Sequence, residues 1–553
     1  MNSIKRYCNL CFGFLAIILF FSCATPGRPT GGPQDETPPV PLYTQPMNAS
    51  TNFKATTITV KFDENVKLTD LNKQLTVSPP MARPDIRANN RTLTIGLKDT
   101  LRPNSTYVIS FGDALADNNE GNILPNYEYV FSTGKTIDML SVLGEVLDAY
   151  TLQPVKDVGI TLLSELSDLA TKETRPLYIA KTNKDGLFHA KYLHQGCYFL
   201  AAIKDGNNDW TYDSLQEETA FLQACVSPKL IEMPVFPDSC STADSSLIVD
   251  SVNNLYRSGY QLLMFKQDLP QSVNKSEFTS GTAVTVEFRN PTKQAEFRIL
   301  QPDNFNNHYV RWNETKNKAE IFFIEKGITN LLLYVQDGAY SDTLKLLNTK
   351  EDVQPFKVSL ATGSELAYFD TLKLSFSTPL RKINDSATFW LFGETDTIPL
   401  TEYSFNASRT QIVFETPLKQ KVSYSLMIPD SLLMDYFDQT NDDTLTLKFR
   451  TTFPESYSRL HVKLLNKPKG SCILQVLNEK LEMVQQQILE SDSASFTTLK
   501  PASYRLRLIQ DRNLNGRWDA GNLREQRLPE TVFILPKTLP LQADWDYEEE
   551  WKL

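Results

Sequence analysis

Two short loops place oxygen-bearing side chains at the alternate positions that a calcium ion requires. The loop "DRNLNGRWD" follows the pattern D-x-[DN]-x-[DN]-G, and calcium takes six to eight oxygen ligands on a tightly curved loop. The loop "DGNNDWTYD" repeats the spacing but has Trp210 where the glycine is expected. The candidate ligands are Asp205, Asn207, Asp209 and Asp213 in one loop and Asp511, Asn513, Asn515 and Asp519 in the other.

A hairpin tip without metal explains the same residues. Gln216 and Asn522 occupy the twelfth position, where the glutamate of a complete calcium loop would stand. Asp and Asn side chains also accept hydrogen bonds from nearby backbone N–H groups in turns. Calcium and a metal-free turn are therefore both open, and bound calcium would stiffen a loop rather than catalyse.

A cysteine after a short apolar run is the second candidate for chemistry. Residues 10–22 are largely apolar, follow Lys5 and Arg6, and fall short of the roughly twenty residues that a membrane-spanning helix needs. A basic start, a short apolar stretch and a small residue before the cut are typical of a secretory signal. The segment "FFSC" resembles a bacterial lipobox with Phe20 where Leu is usual, so we expect cleavage after residue 22 and lipidation of Cys23. The alternative is an ordinary signal peptide with an incidental cysteine.

Catalytic constellations are not recognisable. The four histidines, at 189, 194, 308 and 461, lie near no nucleophile elbow, and the sequence has no HExxH, P-loop or CxxC motif. Histidines 189 and 194 are interpreted as strand or surface residues. The carboxylate pair of a glycosidase stays open, because its separation is set by the fold. We predict that the protein is not an enzyme.

Aromatic residues near the C-terminus could bind sugar. The alternation in "DWDYEEEWKL" places Trp545 and Tyr547 on one face of a terminal strand, followed by Trp551. Sugar faces stack on exposed aromatic rings. Packing of the last strand against its own core explains the same residues.

Length, charge and cysteine content narrow the class of protein. The 553 residues should divide into four or five domains of ~100 residues. The net charge of −10 argues against nucleic acid as a partner. An exported chain can form disulfides, and the spacing allows Cys197 to pair with either Cys225 or Cys240.

Strands must position these residues. Runs such as "TITVKF", "TLTIGL" and "TYVISF" alternate apolar and polar residues and end at Pro, Gly, Asn or Asp, which is typical of strands and turns. Long amphipathic helices are not evident between them. The pattern predicts an all-β chain of sandwich domains.

Two internal repeats divide the chain. The segment from Leu97 to Thr133 shares a strand Tyr, an Asp-rich loop and a closing Phe-x-Thr with the segment that begins at Phe414. Residues 193–213 align without a gap to residues 499–519. Self-similar segments mark domain units, so we expect two kinds of domain, each present twice.

The first repeat resembles bacterial Ig-like domains of the S-layer-protein type. "LRPNSTYVISF" and "DNNEGN" followed by "YVFSTG" carry the resemblance, and the second copy lacks the Asp-x-x-x-Gly-Asn loop that begins at Asp117. The other repeat, with "GEVLDAYTLQPVKDVGITLL" and "KTNKDGLFHA", resembles the prealbumin-like fold of carboxypeptidase regulatory domains. Such a domain normally carries no active site.

The whole arrangement resembles a Bacteroidota family of Ig-like-domain lipoproteins. We predict a signal peptide (1–22), a Gly/Pro-rich tether (23–37), an Ig-like domain (38–135), a prealbumin-like domain (138–239), an unassigned β-rich domain (240–352), a second Ig-like domain (353–453) and a second prealbumin-like domain (457–553). The resemblance implies an outer-membrane lipoprotein, on the periplasmic rather than the outer face. We expect a non-catalytic, rod-shaped scaffold with an envelope protein partner, or alternatively a glycan-binding or adhesion lipoprotein.

Overall fold

The computed structural model describes residues 35–170, 175–207, 209–231, 242–292, 294–303, 307–385 and 387–553. Cys23, the signal segment and Cys240 lie outside these residues, so lipidation of Cys23 stays a prediction. Regular structure in the described residues is nearly all β, which confirms the predicted fold class. Among these residues, no helix combines the length and the apolar character needed to cross a bilayer.

The first unit (residues 35–135) is a β-sandwich. Its elements are β1 (Pro41–Gln45), β2 (Thr57–Phe62), β3 (Val66–Leu68), α1 (Leu71–Gln74), β4 (Thr76–Ser78), β5 (Asp85–Asn89), β6 (Thr92–Gly96), β7 (Thr106–Ser110), β8 (Leu115–Asp117) and β9 (Glu128–Ser132). The sheets β1-β2-β6-β5 and β4-β7-β9 enclose the core, and β3 pairs with β8. The alternation in β2 buries Ile58, Val60 and Phe62, as its sequence predicts.

The second unit (residues 138–266) is one seven-stranded sheet that closes on itself. Its elements are β10 (Leu140–Asp148), β11 (Gly159–Leu163), β12 (Tyr178–Lys181), β13 (Leu187–Leu193), β14 (Phe199–Ile203), β15 (Glu218–Phe221), α2 (Thr242–Arg257) and β16 (Tyr260–Lys266). The strand order is β12-β11-β14-β15-β16-β10-β13, and the two end strands contact each other around the core.

The second unit extends past its predicted end at residue 239. Strand β16 pairs in parallel with β10 and antiparallel with β15, so residues 260–266 complete this sheet. Helix α2 leads into β16 and contacts β10 and β13. The predicted boundary at 239/240 is therefore wrong, because the last strand of the sheet follows a helix that the strand pattern did not indicate.

The third unit (residues 267–352), predicted only as β-rich, is also a sandwich. Its strands are β17 (Val273–Ser280), β18 (Ala283–Phe288), β19 (Glu296–Gln301), β20 (His308–Trp312), β21 (Lys318–Phe323), β22 (Asn330–Asp337) and β23 (Tyr340–Leu347). The sheets β17-β18-β21-β20 and β19-β22-β23 pack over one apolar core.

The fourth unit (residues 353–453) repeats the topology of the first. Its strands are β24 (Val358–Leu360), β25 (Glu365–Leu366), β26 (Leu372–Phe376), β27 (Leu380–Ile383), β28 (Phe389–Phe392), β29 (Thr397–Leu400), β30 (Tyr403–Phe405), β31 (Gln411–Phe414), β32 (Ser423–Ile428), β33 (Leu433–Asp435) and β34 (Leu445–Thr451). The order β24-β26-β31-β30 matches β1-β2-β6-β5, and the pair β27-β33 matches β3-β8.

Two hydrogen-bonding devices are shared by the first and fourth units. The Tyr107 hydroxyl accepts the N–H of Arg102 at 2.7 Å, and the Tyr424 hydroxyl accepts that of Lys419 at 3.0 Å. Asp117 is fully buried and accepts four backbone N–H groups from residues 119–122. The fourth unit lacks that loop sequence, yet its Asp435 is equally buried and accepts the N–H groups of residues 437 and 439.

The fifth unit (residues 457–553) repeats the second. Its strands are β35 (Ser458–Leu465), β36 (Ser471–Leu477), β37 (Met483–Leu489), β38 (Ser493–Leu499), β39 (Ala502–Asp511), β40 (Val532–Ile534), β41 (Leu539–Leu541) and β42 (Asp546–Lys552). The order β38-β35-β42 matches β13-β10-β16, including the parallel pair, and β37-β36-β39-β40 matches β12-β11-β14-β15.

The units do not form the expected rod. The third unit contacts the fourth through the hydroxyls of Tyr309 and Tyr436, 2.7 Å apart, and the fourth contacts the fifth through Thr452 and Tyr457, 3.1 Å apart. The fifth unit then packs against the second through a shared apolar cluster. The second to fifth units therefore form a closed circuit, and the rod is wrong because buried apolar surface joins units that are distant in sequence.

Candidate functional site

The predicted calcium ligands of the fifth unit come together in one loop after β39. Asp511 is 2% exposed and accepts the backbone N–H groups of Asn515 and Gly516 at 3.1 and 2.9 Å. Asp519 accepts the side-chain amides of Asn513 and Asn515, each at 2.6 Å. The loop thus closes around its own carboxylates.

The loop after β14 in the second unit has the same organisation. Asp205 accepts the backbone N–H groups of Asn207 and Trp210 at 3.1 and 2.7 Å. The Asn207 amide donates to Asp209 at 3.1 Å and to Asp213 at 3.4 Å. In both loops the first Asp therefore holds the residue five positions further on.

The donor set does not decide between calcium and a metal-free turn. The carboxylates accept N–H groups of their own loop, as Asx turns do. In the part of the chain that the structure describes, no group of three or more His, Cys, Asp or Glu side chains is arranged to hold a metal. Amide oxygens from the Asn residues would have to turn inward to complete a coordination shell. Calcium at these loops stays a prediction.

A glutamate supports each loop, fully buried in the fifth unit and partly buried in the second, which the sequence did not indicate. Glu530 accepts the N–H of Asp519 at 3.2 Å, and Glu217 accepts that of Asp213 at 3.3 Å. Burial raises the pKa of both Glu530 and Glu217 above the ordinary value of a glutamate. Each loop is therefore held at its first and last carboxylate positions.

The two loops share a left-handed backbone conformation at one position but place different residues there. Gly516 has φ 74°, in the left-handed region that glycine enters freely, and Trp210 takes the same conformation with φ 64°. A residue with a side chain pays about 1–2 kcal/mol to adopt it. The Trp210 indole lies over β11, where a Cβ on Gly159 would stand 2.8 Å from its ring. A strained, bulky residue at a position that the other loop fills with glycine indicates a role for the indole.

The contact between the second and fifth units is the largest feature that the site predictions missed. Its apolar cluster combines residues of the second unit, such as Phe265, with Ala520 and Leu523 of the fifth. Beside it, the Arg507 guanidinium lies 3.8 Å from the centroid of the Tyr150 ring and donates to Gln475 at 3.2 Å. This arrangement fixes the two repeat copies against each other.

The guanidinium of Arg507 is a positive charge buried inside this contact, which is unusual for an arginine. Its side chain is 1% exposed, and burial lowers the pKa of the guanidinium below its ordinary value. The repeat alignment contains the signal that could have found it, because Ala201 stands at the matching position in the first copy. A fully buried arginine, at a position that the other copy fills with alanine, indicates a specific partner for its charge.

The C-terminal aromatic residues divide between surface and core. Trp551 is 5% exposed and belongs to the core of the fifth unit, whereas Trp545 is 55% exposed. Trp545 and Tyr547 stack with ring centroids 6.0 Å apart and 28° between their planes. Core packing therefore explains Trp551 and part of Tyr547, which packs against the same core, and Trp545 is the exposed ring of the pair.

The remaining sequence candidates are structural. Cys197 pairs with Cys225, which decides between the two pairings that the spacing left open. His194 contacts Asp138 at 3.0 Å, and His189 lies in β13 against the ring of Tyr256. These two histidines are strand and surface residues, as interpreted.

Comparison with known proteins assigns the first unit. Residues 35–133 match the bacterial Ig-like domain family. The resemblance of this unit to that family is thereby confirmed. A search of curated proteins finds no match to the chain.

Solved structures with a likeness to the chain share little sequence with it. They include domains 1–6 of the surface layer protein SbsC (10% identity, 89% of this chain, 66% of that chain, TM-score 0.13), the major pilin subunit BcpA of Bacillus cereus (6% identity, 74% and 99%, TM-score 0.14) and SGBP-B of Bacteroides ovatus, solved with a mixed-linkage heptasaccharide (10% identity, 74% and 89%, TM-score 0.19). At these scores the likeness carries no functional argument.

Proposed function

We propose that this protein is a non-catalytic, lipid-anchored scaffold of the cell envelope. In this proposal Cys23 carries the lipid, and the chain lies at the outer membrane on its periplasmic side. The β-sandwich units hold an envelope protein partner.

The packing of the fifth unit against the second carries the proposal. Ala520 is 3% exposed and Phe265 is 2% exposed in their shared cluster, so the contact excludes water as a domain core does. Relative motion of domains is the usual expectation when interfaces are small and polar. The apolar cluster that closes the circuit instead holds the units in place. A partner would therefore meet binding surfaces at a fixed spacing.

The N-terminal segment supports the anchoring part of the proposal. Residues 23–37 are rich in Gly and Pro and separate Cys23 from the first unit. Acyl chains on a cysteine hold a protein at a membrane surface. A flexible tether would let the closed circuit reach a partner near that surface.

Crosslinked affinity purification from detergent-solubilised outer membranes tests the proposal. We expect a stoichiometric envelope protein with the native chain and its loss with Cys23→Ala, because that variant leaves the membrane. Cys11→Ala is the matched control, since residue 11 lies in the segment predicted to be removed. A Cys23→Ala protein that stays in the membrane, or a native chain that recovers no protein, would contradict the proposal.

The exposed Trp545, stacked on the partly buried Tyr547, favours a second candidate, a glycan-binding or adhesion lipoprotein. Stacked rings on a surface present apolar faces that a sugar can cover. In that case Trp545→Ala abolishes binding to polysaccharides on a glycan array while the melting temperature stays unchanged. Unchanged binding by Trp545→Ala removes this candidate.

A further inference from the structure

A cleft of about 390 Å³ lies between the first and second units, away from every site that the sequence indicated except one loop. Its floor is formed by the buried residues Val77, Pro84, Pro176 and Ile179. The volume falls within the range of about 300–1,000 Å³ that small-molecule sites occupy, and such sites are frequent between domains. The cleft therefore has the size and the position of a ligand site.

The units around the cleft are fixed by polar contacts. The backbone N–H of Ile179 in the second unit donates to the Ser78 hydroxyl of the first at 3.0 Å. Thr106 donates to Asp138 at 2.9 Å, and Lys191 contacts Glu128 at 3.1 Å. The walls of the cleft are thus held in place by the two folded units.

Trp210 forms one wall of the cleft. Its backbone N–H is held by Asp205 at 2.7 Å, in the conformation that Gly516 takes in the sister loop. The Lys181 ammonium lies 5.6 Å from the centroid of the indole. The strained conformation of Trp210 therefore places an aromatic ring beside a cation inside the cleft.

Three cations and one carboxylate line the cleft. Arg83 and Arg175 are exposed at its edge, where Arg83 donates to Asn72 and Arg175 lies 3.9 Å from Asp99. Lys181 donates one N–H to the backbone oxygen of Lys73 at 2.6 Å and has two further donors. The lining residues carry three cations against the single carboxylate of Asp209, while Asp99 partly offsets Arg175 and Asp157 and Asp205 attract Lys181. The lining itself therefore favours an anionic group, placed on the arginines at the edge.

Asp209 restricts the kind of anion. Its carboxylate accepts the Thr211 N–H at 2.8 Å and the Asn207 amide at 3.1 Å, and each oxygen retains acceptor capacity. A compact inorganic anion would meet repulsion from this carboxylate. A ligand that carries hydroxyl donors together with a carboxylate would satisfy Asp209 and the arginines at once.

We propose that the cleft between the first and second units binds an acidic saccharide, with its ring against Trp210 and its carboxylate on Arg83 and Arg175. Sugar rings pack on aromatic faces, and guanidinium groups pair with carboxylates through two parallel hydrogen bonds. This inference uses only contacts of the first two units and does not depend on the scaffold proposal.

Isothermal titration calorimetry of the native full-length protein with digalacturonic acid tests the proposal. We expect a Kd below ~1 mM, and much weaker binding of the dimethyl ester, which has the same sugar without its charge. Trp210→Gly should weaken binding at least tenfold, because Gly516 shows that the loop accepts glycine at this position. Arg83→Gln and Arg175→Gln should each weaken it about tenfold.

The sister loop supplies a matched control. Arg517 contacts Asp519 at 3.5 Å and is not among the residues that line the cleft, so Arg517→Gln should bind digalacturonic acid like the native protein. Absence of binding, equal binding of the ester, or unchanged affinity in the Arg83→Gln variant overturns the proposal. If Trp210→Gly does not fold, Trp210→Phe replaces it as the variant that tests the role of the indole, because it keeps an aromatic ring. These binding measurements are independent of the affinity purification that tests the scaffold proposal.

Discussion

The ring of Trp210 occupies space that is open because residue 159 is a glycine. A Cβ added to Gly159 would stand 2.8 Å from the indole, closer than side-chain atoms pack. We expect Gly159→Ala to lower the free energy of unfolding by about 1–3 kcal/mol, the usual effect of overpacking. In a Trp210→Gly background the same change should cost less than half as much, because the obstructing ring is gone. Chemical denaturation of the four proteins of this cycle measures the coupling, and additive losses would show that the ring does not obstruct.

The disulfide between Cys197 and Cys225 links the start of β14 to the segment that follows β15. The cysteines are 28 residues apart, and closing a loop of this length in the unfolded chain is worth about 3–4 kcal/mol on the chain-entropy model. Cys197→Ser should lower the free energy of unfolding of the second unit by that amount, measured by denaturation. A reducing agent should destabilise the native protein to the same level and leave the variant unaffected. Loss of stability on reduction of the variant would contradict this assignment.

At the scale of the element, β13 and helix α2 enclose His189. Its Nε2 atom is buried without a hydrogen-bond partner among the described residues, and burial lowers the pKa of His189 from 6.5 to about 4. The unfolded chain therefore binds more protons than the folded chain between these pH values. The contribution of neutral His189 to the free energy of unfolding is fully present above pH 6.5. It falls as the pH drops towards 4, by up to about 3 kcal/mol.

Hydrogen exchange of the β10 amides measures this loss in the second unit. We expect His189→Leu to flatten the pH dependence between pH 4 and 6.5. His461→Gln is the control, because His461 is exposed on the fifth unit and contacts Ser495. An unaltered profile in His189→Leu would show that another group causes the acid sensitivity.

The sequence predicted secondary-structure elements better than it predicted contacts between units. Alternation in β2 and the gap-free repeat before Asp205 and Asp511 indicated the strands and loops that the structure contains. Helix α2 and the placement of β16 could not be predicted, since parallel pairing with β10 joins strands more than 100 residues apart. Asp435 was missed because its loop keeps the hydrogen bonds of Asp117 without its glycine motif.

At the scale of the whole molecule, the closed circuit depends on residues that look ordinary in sequence. Ala520 and Leu523 look like isolated apolar residues near turns, and Phe265 like an ordinary apolar residue of a strand. Alternation shows which face of a strand is buried but not against which unit. The repeat alignment marks Arg507 as unusual, but its contact with Tyr150 of the second unit follows only from the fold. Contacts between units therefore set the arrangement that local patterns cannot specify.

The closest approach in this contact offers a test of the circuit. Gly521 lies against Phe265, where an added Cβ would stand 2.5 Å from the ring, so Gly521→Leu should separate the fifth unit from the second. We expect a larger radius of gyration in small-angle scattering and a calorimetric transition that splits, because units that lose their shared core unfold independently. Gly206→Leu is the matched control, since no atom stands within 4 Å of its added Cβ. If Gly521→Leu keeps the native radius of gyration and a single transition, the contact does not hold the circuit closed, and the fixed spacing on which the scaffold proposal depends is lost with it.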